Sequence, residues 1–191
     1  LHDSRLPAFP AYLNYREGSS LSMWNLRIKL MEKGVVLSME CLGCRIANGI
    51  EPNLKIVYEN DLVTCVLDIA PFNEGHILIL PKKHYLDIEE VDSEIAYAIM
   101  DASQKLSRVI KDSFKPDGIS ICQNGGKFND LTHYHMHLIP RYEGDGFSWS
   151  EPLHPHGAEK HLNQTKEKMI KHSLLRNSSN KIKQTANDSS Y

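Results

Sequence analysis

The sequence predicts an α+β domain with a five-stranded, mainly antiparallel sheet and one long helix. Two observations carry this reading. Five short segments have the alternation or apolar density of strands: Lys55–Tyr58, Val63–Leu67, Ile77–Leu80, Ile119–Cys122 and Tyr134–Pro140. Between the third and fourth runs one helical pattern, so the order is strands, a long helix, then strands again. The 191 residues suffice for one modest core and are too few for two ordinary domains.

From the amino end, residues 1–38 read as a non-native or disordered extension. The chain opens on Leu1, and Met39, two residues before Cys41, is the expected natural start. Leu21 to Val36 is mildly apolar but broken by Asn25, Arg27, Lys29, Glu32 and Lys33, which is not the uninterrupted core of a secretory signal. A short helix is expected just after Cys44. The long helix is marked by Ile95, Ala98, Ile99, Ala102, Leu106, Val109 and Ile110 at three- and four-residue steps. Asp92 or Ser93 is suited to cap it, and Pro116-Asp117-Gly118 stops it. The domain spans 39–150. A C-terminal extension, 151–191, holds a possible helix over 158–175 and a Ser/Asn/Lys-rich tail expected to be disordered.

Charge follows the same division. The net charge of −2 hides +2 over 1–38, −8 over 39–158 and +4 over 159–191. The near balance argues against a nucleic-acid protein held by a basic face. No apolar run approaches the ~20 residues of a membrane span. Mean hydropathy is −0.40, and four cysteines in this length do not make a disulfide scaffold. The expected setting is cytoplasmic.

The densest chemistry is His133-Tyr134-His135-Met136-His137-Leu138-Ile139-Pro140-Arg141. On a strand the three histidines share one face, ~6.5–7 Å apart, with Tyr134, Met136 and Leu138 on the other. Such a row can share a metal or a phosphate, or be a solvated polar face. A His₃ metal site is one specific alternative. Cys41-Leu42-Gly43-Cys44 is a second constellation, open to a redox dithiol or to zinc with two further ligands. Cys65 and Cys122 lie in apolar strands and read as core. Tyr134, Met136 and Ile139 read as core as well. His154, His156 and His161 read as surface.

The triad string resembles the signature of the histidine triad (HIT) proteins, His-φ-His-φ-His-φ-φ with φ apolar. Pro140-Arg141, Asn124-Gly125, Leu67-Asp68-Ile69, Gly75-His76 and Pro81-Lys82-Lys83-His84 look like bacterial members, over about Met39 to Arg141. The resemblance implies a homodimer whose two five-stranded sheets join into one, paired through the helical region 88–114 and the neighbouring sheet edge. It also implies a purine nucleotide as partner, with hydrolysis or nucleotidyl transfer at the α-phosphorus. Nucleoside phosphoramidates, acyl-nucleotides and dinucleoside polyphosphates are the substrate types. His135 matches the nucleophile that forms a nucleotidyl-histidine, a role suited to an imidazole of reference pKa ~6.5. His137 matches the histidine that contacts the α-phosphate oxygens. Asp68 matches the ribose carboxylate and Asn124 a phosphate-side amide. His76 matches a framework histidine, and the region of Trp149 reaches toward the partner's site. Zinc-containing bacterial members imply a structural Zn²⁺ on Cys41, Cys44, His84 and His133.

One stretch departs from the pattern. Many members precede the triad with Gly-Gln-Ser-φ-φ, whereas this chain reads Phe128-Asn129-Asp130-Leu131-Thr132, one residue shorter. Asn129 takes the place of the glutamine amide and Thr132 offers a hydroxyl, while Asp130 would repel an anionic leaving group. A nucleotide-binding regulator with little turnover, and a His₃ metalloenzyme, are the alternative functions.

Overall fold

The computed structural model describes residues 41–148 and 157–173. The readings placed on 1–38, Met39, Trp149, His154, His156 and the tail beyond 173 lie outside them. The chain divides into two compact units, Leu1–Phe147 and Ser148–Tyr191.

In the first unit the order is α1 (Leu42–Ala47), β1 (Ile56–Glu59), β2 (Val63–Leu67), β3 (Ile77–Pro81), α2 (Ser93–Phe114), β4 (Gly118–Cys122) and β5 (Met136–Arg141). All pairings are antiparallel, in the order β1-β2-β3-β5-β4. Asn60 shapes the β1–β2 turn, its Oδ1 accepting from the amides of Leu62 and Val63 at 2.9 and 2.8 Å. This is the side-chain turn chemistry expected of asparagine. Gly75 (φ +87) leads into β3 where an added Cβ would meet the Phe114 ring at 2.6 Å, so the tight entry needs glycine on both counts.

The sheet is covered on both faces, unequally. Val63, Cys65, Ile77, Ile79, Met136 and Leu138 face α2, where Ile95, Ala98, Ile99, Ala102, Leu106 and Ile110 complete the main core. Period-2 strands set against a period-3.6 stripe leave the intervening residues for the opposite face. There Val66 and Leu80 meet Ala47 of α1 and Leu131 in a much smaller cluster. Buried Thr64 is reconciled to that face by donating its hydroxyl to the Ala47 carbonyl at 2.6 Å.

Asp92 stands at the N-cap of α2, but its carboxylate accepts from Lys83 Nζ and Tyr85 Oη, both at 2.7 Å, rather than capping the helix. The helix ends on Lys115 in the left-handed conformation (φ 47), just before Pro116. Tyr97, Met100 and Val109 on α2 and Ile121 on edge strand β4 are exposed. In the second unit a 3-10 turn, Ala158–His161, leads into helical residues 162–173. Among the described residues no helix is long and apolar enough to cross a membrane.

Candidate functional site

The last strand begins later than its pattern suggests. Ladder pairing starts at Met136, not Tyr134. Just upstream the Tyr134 amide donates to the Tyr85 carbonyl at 2.7 Å instead of to β3. That departure takes His133 away from the row and toward α1.

His133 meets a second set of donors there. Cys41, Cys44, His84 and His133 bring one ligand atom each to within 4.8 Å of one another. Sulfur–nitrogen separations are 3.2 Å (Cys44 Sγ to His84 Nδ1), 3.5 Å (Cys44 Sγ to His133 Nδ1) and 3.7 Å (Cys41 Sγ to His133 Nδ1). Tetrahedral zinc with Zn–S ~2.3 Å and Zn–N ~2.05 Å places those atoms about 3.6 Å apart. The donor set therefore fits the ion. His133 also donates Nε2–H to the Pro81 carbonyl at 2.9 Å, which leaves the Nδ1 lone pair aimed at the sulfurs. Burial holds His133 down to about 4 and pushes the Cys44 thiol, with help from Cys41, up to about 12. A divalent cation is what such a thiol needs in order to ionise. The backbones meet closely too: a Cβ on Gly43 would lie 2.2 Å from His133 Cβ.

His135 and His137 stay together, ring centroids 4.8 Å apart. His135 is almost wholly buried and donates Nδ1–H to the His133 carbonyl at 2.9 Å. Its Nε2 therefore carries the lone pair. Facing that nitrogen at 3.4 Å is Asp130 Oδ1; the imidazole is 2% exposed and the carboxylate side chain 62%.

A third group gathers around His137. Asp68, just after β2, and His76, just before β3, face each other because the hairpin pairs Leu67 with Ile77. Asp68 Oδ2 lies 3.6 Å from His76 Nδ1 and its Oδ1 accepts from the Ala70 amide at 2.8 Å. His76 Nδ1 accepts from the Phe72 amide at 3.3 Å, so its proton sits on Nε2, 3.0 Å from His137 Nδ1. His137 is thereby left with Nε2–H as a free donor. Burial lowers His76, against the pull of Asp68. Burial, then His135 and His76, lower His137 to about 4. Both are neutral near pH 7. Asp68, His76 and His137 also converge within 4.8 Å, the two histidines joined through their 3.0 Å nitrogen–nitrogen contact.

The remaining residues singled out in the sequence fall as follows. Asn129 uses its amide locally: Nδ2 donates to the carbonyls of Leu86 (3.0 Å) and His133 (3.3 Å), and Oδ1 accepts from the Leu131 amide (3.1 Å). Asn124 is exposed after β4, and Thr132 is exposed with φ 48. Cys65 is fully buried and Cys122 half-buried. Two positions had more to do than the sequence alone suggested. Gly43 stands out only as the small residue inside the Cys-x₂-Cys pair. His76 joins the site through a hairpin register that is readable from the flanking strands once their pairing is known.

The architecture defines a class: a five-stranded α+β domain with a Cys₂His₂ centre beside a paired-histidine site. A HIT domain profile matches residues 51–144. "Protein hit" of Bacillus subtilis is 41% identical over 110 residues, 56% of this chain and 75% of the relative. The chain belongs to the HIT family. The adenylylsulfatase HINT3 of Arabidopsis thaliana is 35% identical over 122 residues, 63% of this chain and 61% of that protein. Among solved structures, a HIT family protein of Bacillus anthracis has a TM-score of 0.62 at 34% identity, covering 72% of this chain and 99% of its own. A zinc-bound histidine triad family protein from Mycobacterium smegmatis has a TM-score of 0.55 at 29% identity, covering 71% of this chain and 99% of its own.

Proposed function

We propose that the protein binds a purine nucleotide and cleaves it at the α-phosphorus through a nucleotidyl-His135 intermediate. The observation that carries this reading is the tautomer of His135: Nδ1–H is committed to the His133 carbonyl at 2.9 Å, so Nε2 is the nucleophile. Nε2 attacks phosphorus, the P–X bond breaks with its electron pair going to X, and water later displaces Nε2. His137, neutral and with Nε2–H outward, donates to the phosphoryl oxygens as charge builds on them. Asp68 accepts from the ribose, with exposed Ile69 and Phe72 beside it as apolar surface for the base. Asn124 serves the phosphate side, whereas Asn129 acts through the loop that it ties down. The adenylylsulfatase relative supports an adenylyl group as the transferred half.

A structural zinc ion on Cys41, Cys44, His84 and His133 belongs to the same reading, supported by the donor geometry and by the zinc-bound relative. When bound it supplies a cross-link and ionised thiols, not a reacting group. The homodimer through α2 and the edge at β4 rests on the family resemblance and on the apolar residues left exposed there.

Incubation with adenosine 5′-phosphoramidate, a rapid quench and mass spectrometry should find an acid-labile adenylyl group on His135, absent in His135→Ala. Turnover with no such adduct, or an adduct that persists in His135→Ala, refutes the mechanism. A regulator with little turnover is the second reading, favoured by Asp130 beside Nε2. It requires nucleotide binding with neither adduct nor product. A single ion shared by all three triad histidines is not favoured, since His133 converges with Cys41, Cys44 and His84, and His137 with Asp68 and His76.

A further inference from the structure

The carboxylate of Asp130 lies 3.4 Å from the nitrogen assigned to attack phosphorus, and the backbone on either side of it is held in place. On one side Asn129 clamps the backbone of Leu86 and His133. On the other, buried Leu131 is anchored among Ala47, Val66 and Leu80. The acid between them has little backbone freedom. The carboxylates that influence His137 are Asp68 and Asp130, so the site's acidic field is made by two residues from separate elements.

We infer that Asp130 determines leaving-group specificity, favouring amines over anions, an inference that rests on the nucleotidyl-His135 reading. In-line attack from ~3–3.5 Å puts the departing atom roughly 5 Å from Nε2 along the attack line. A carboxylate 3.4 Å from Nε2 is then at most about 8.4 Å from that atom, comparable with the Debye length of ~8 Å, and closer in every bent arrangement. Repulsion between Asp130 and the nucleotidyl phosphate is common to every substrate sharing that half. It cancels in a comparison, leaving only the charge of the leaving group. For a phosphoramidate, the Nε2–P bond forms and the P–N bond breaks. The electron pair goes to nitrogen, which takes a proton from solvent and leaves as a neutral amine. A neutral amine meets no charge repulsion from Asp130. For an adenylyl sulfate the P–O bond breaks and the sulfate leaves with the pair and full negative charge, against Asp130. Water then forms a P–O bond, Nε2 recovers its pair, and the water proton returns to solvent.

The test compares kcat/KM for adenosine 5′-phosphoramidate and adenylyl sulfate, which share the adenylyl half, in the zinc-loaded wild type, Asp130→Asn, Asp130→Ser and Asp130→Glu. The amine-to-sulfate ratio should fall roughly tenfold in Asn and Ser, the factor equivalent to ~1.4 kcal/mol. It should persist in Glu. Raising ionic strength should lower the same ratio in the wild type, a readout that needs no variant to fold. Adduct formation on His135 with ratios unmoved by substitution and by salt overturns the role of Asp130 alone. Absence of adduct from both substrates in the wild type overturns the underlying mechanism, and this inference with it.

Discussion

Gly43→Ala is the smallest change that reaches both the fold and the Cys₂His₂ centre. The new methyl would lie 2.2 Å from His133 Cβ and 2.5 Å from its Cγ. Ordinary carbon contacts begin near ~3.5 Å, so α1 and the triad segment must separate by about 1 Å. Neither side yields easily: His133 is pinned to Pro81 at 2.9 Å, and α1 is held by the Thr64 hydroxyl on Ala47 at 2.6 Å. Overpacking of this kind costs about 1–3 kcal/mol, and a domain this size loses about 3–4 °C in Tm per kcal/mol. A displacement near 1 Å also exceeds the ~0.2 Å latitude of metal–ligand distances. The variant should therefore bind zinc at well below one ion per chain and lose most of the Tm shift that a chelator produces in the wild type. Elemental analysis and paired thermal melts measure both. A Gly43→Ala protein with full zinc and an unchanged melt would refute the close packing of α1 on His133.

Other expectations concern the same site. His133→Ala should lose zinc and stability first, with activity following, whereas His135→Ala should keep zinc and fold while losing the adduct. Elemental analysis showing the reverse order would mean the roles are misassigned. Because burial holds folded His137 at about 4, below its ordinary 6.5, the unfolded chain binds the extra proton between those values. Stability contributed by keeping this ring neutral is then flat above pH ~6.5 and falls toward pH ~4, by about 2 kcal/mol after solvent screening. Urea titrations of His137→Gln should show a shallower acid loss than wild type, and parallel profiles would contradict this. Sedimentation at micromolar concentration should give a dimer, and a monomer alone would sink the pairing through α2 and β4.

Local pattern placed the sheet and long helix well because each is written in contiguous residues. Val63–Leu67 has the expected limits, and α2 runs from Ser93, directly after Asp92, one of the two expected cap positions, to just before Pro116. The start of the last strand was less legible, since periodicity continues through Tyr134 while its amide bonds to Tyr85, nearly fifty positions away. Residue type marked Cys41, Cys44, His84 and His133, and they do converge. What no spacing encodes is who spends which hydrogen bond on whom. Asn129 has a suitable amide for phosphate but gives it to backbone, and His76 is an ordinary strand-edge histidine until Phe72 and His137 fix its proton.

The small cluster beneath α1 has a dynamic consequence. Among the described residues the apolar cluster on that side of the sheet has four buried members, against fourteen on the side of α2. A thin satellite core opens below the free energy of global unfolding. The amides of α1 should thus exchange hydrogen through partial opening while those of β2 and β3 remain protected. Leu131 belongs to this cluster and adjoins Asp130, so each opening loosens the segment that sets the carboxylate against His135. A metal on Cys41 and Cys44, were it bound there, would act as a rheostat on that opening, since both cysteines flank the first turn of α1.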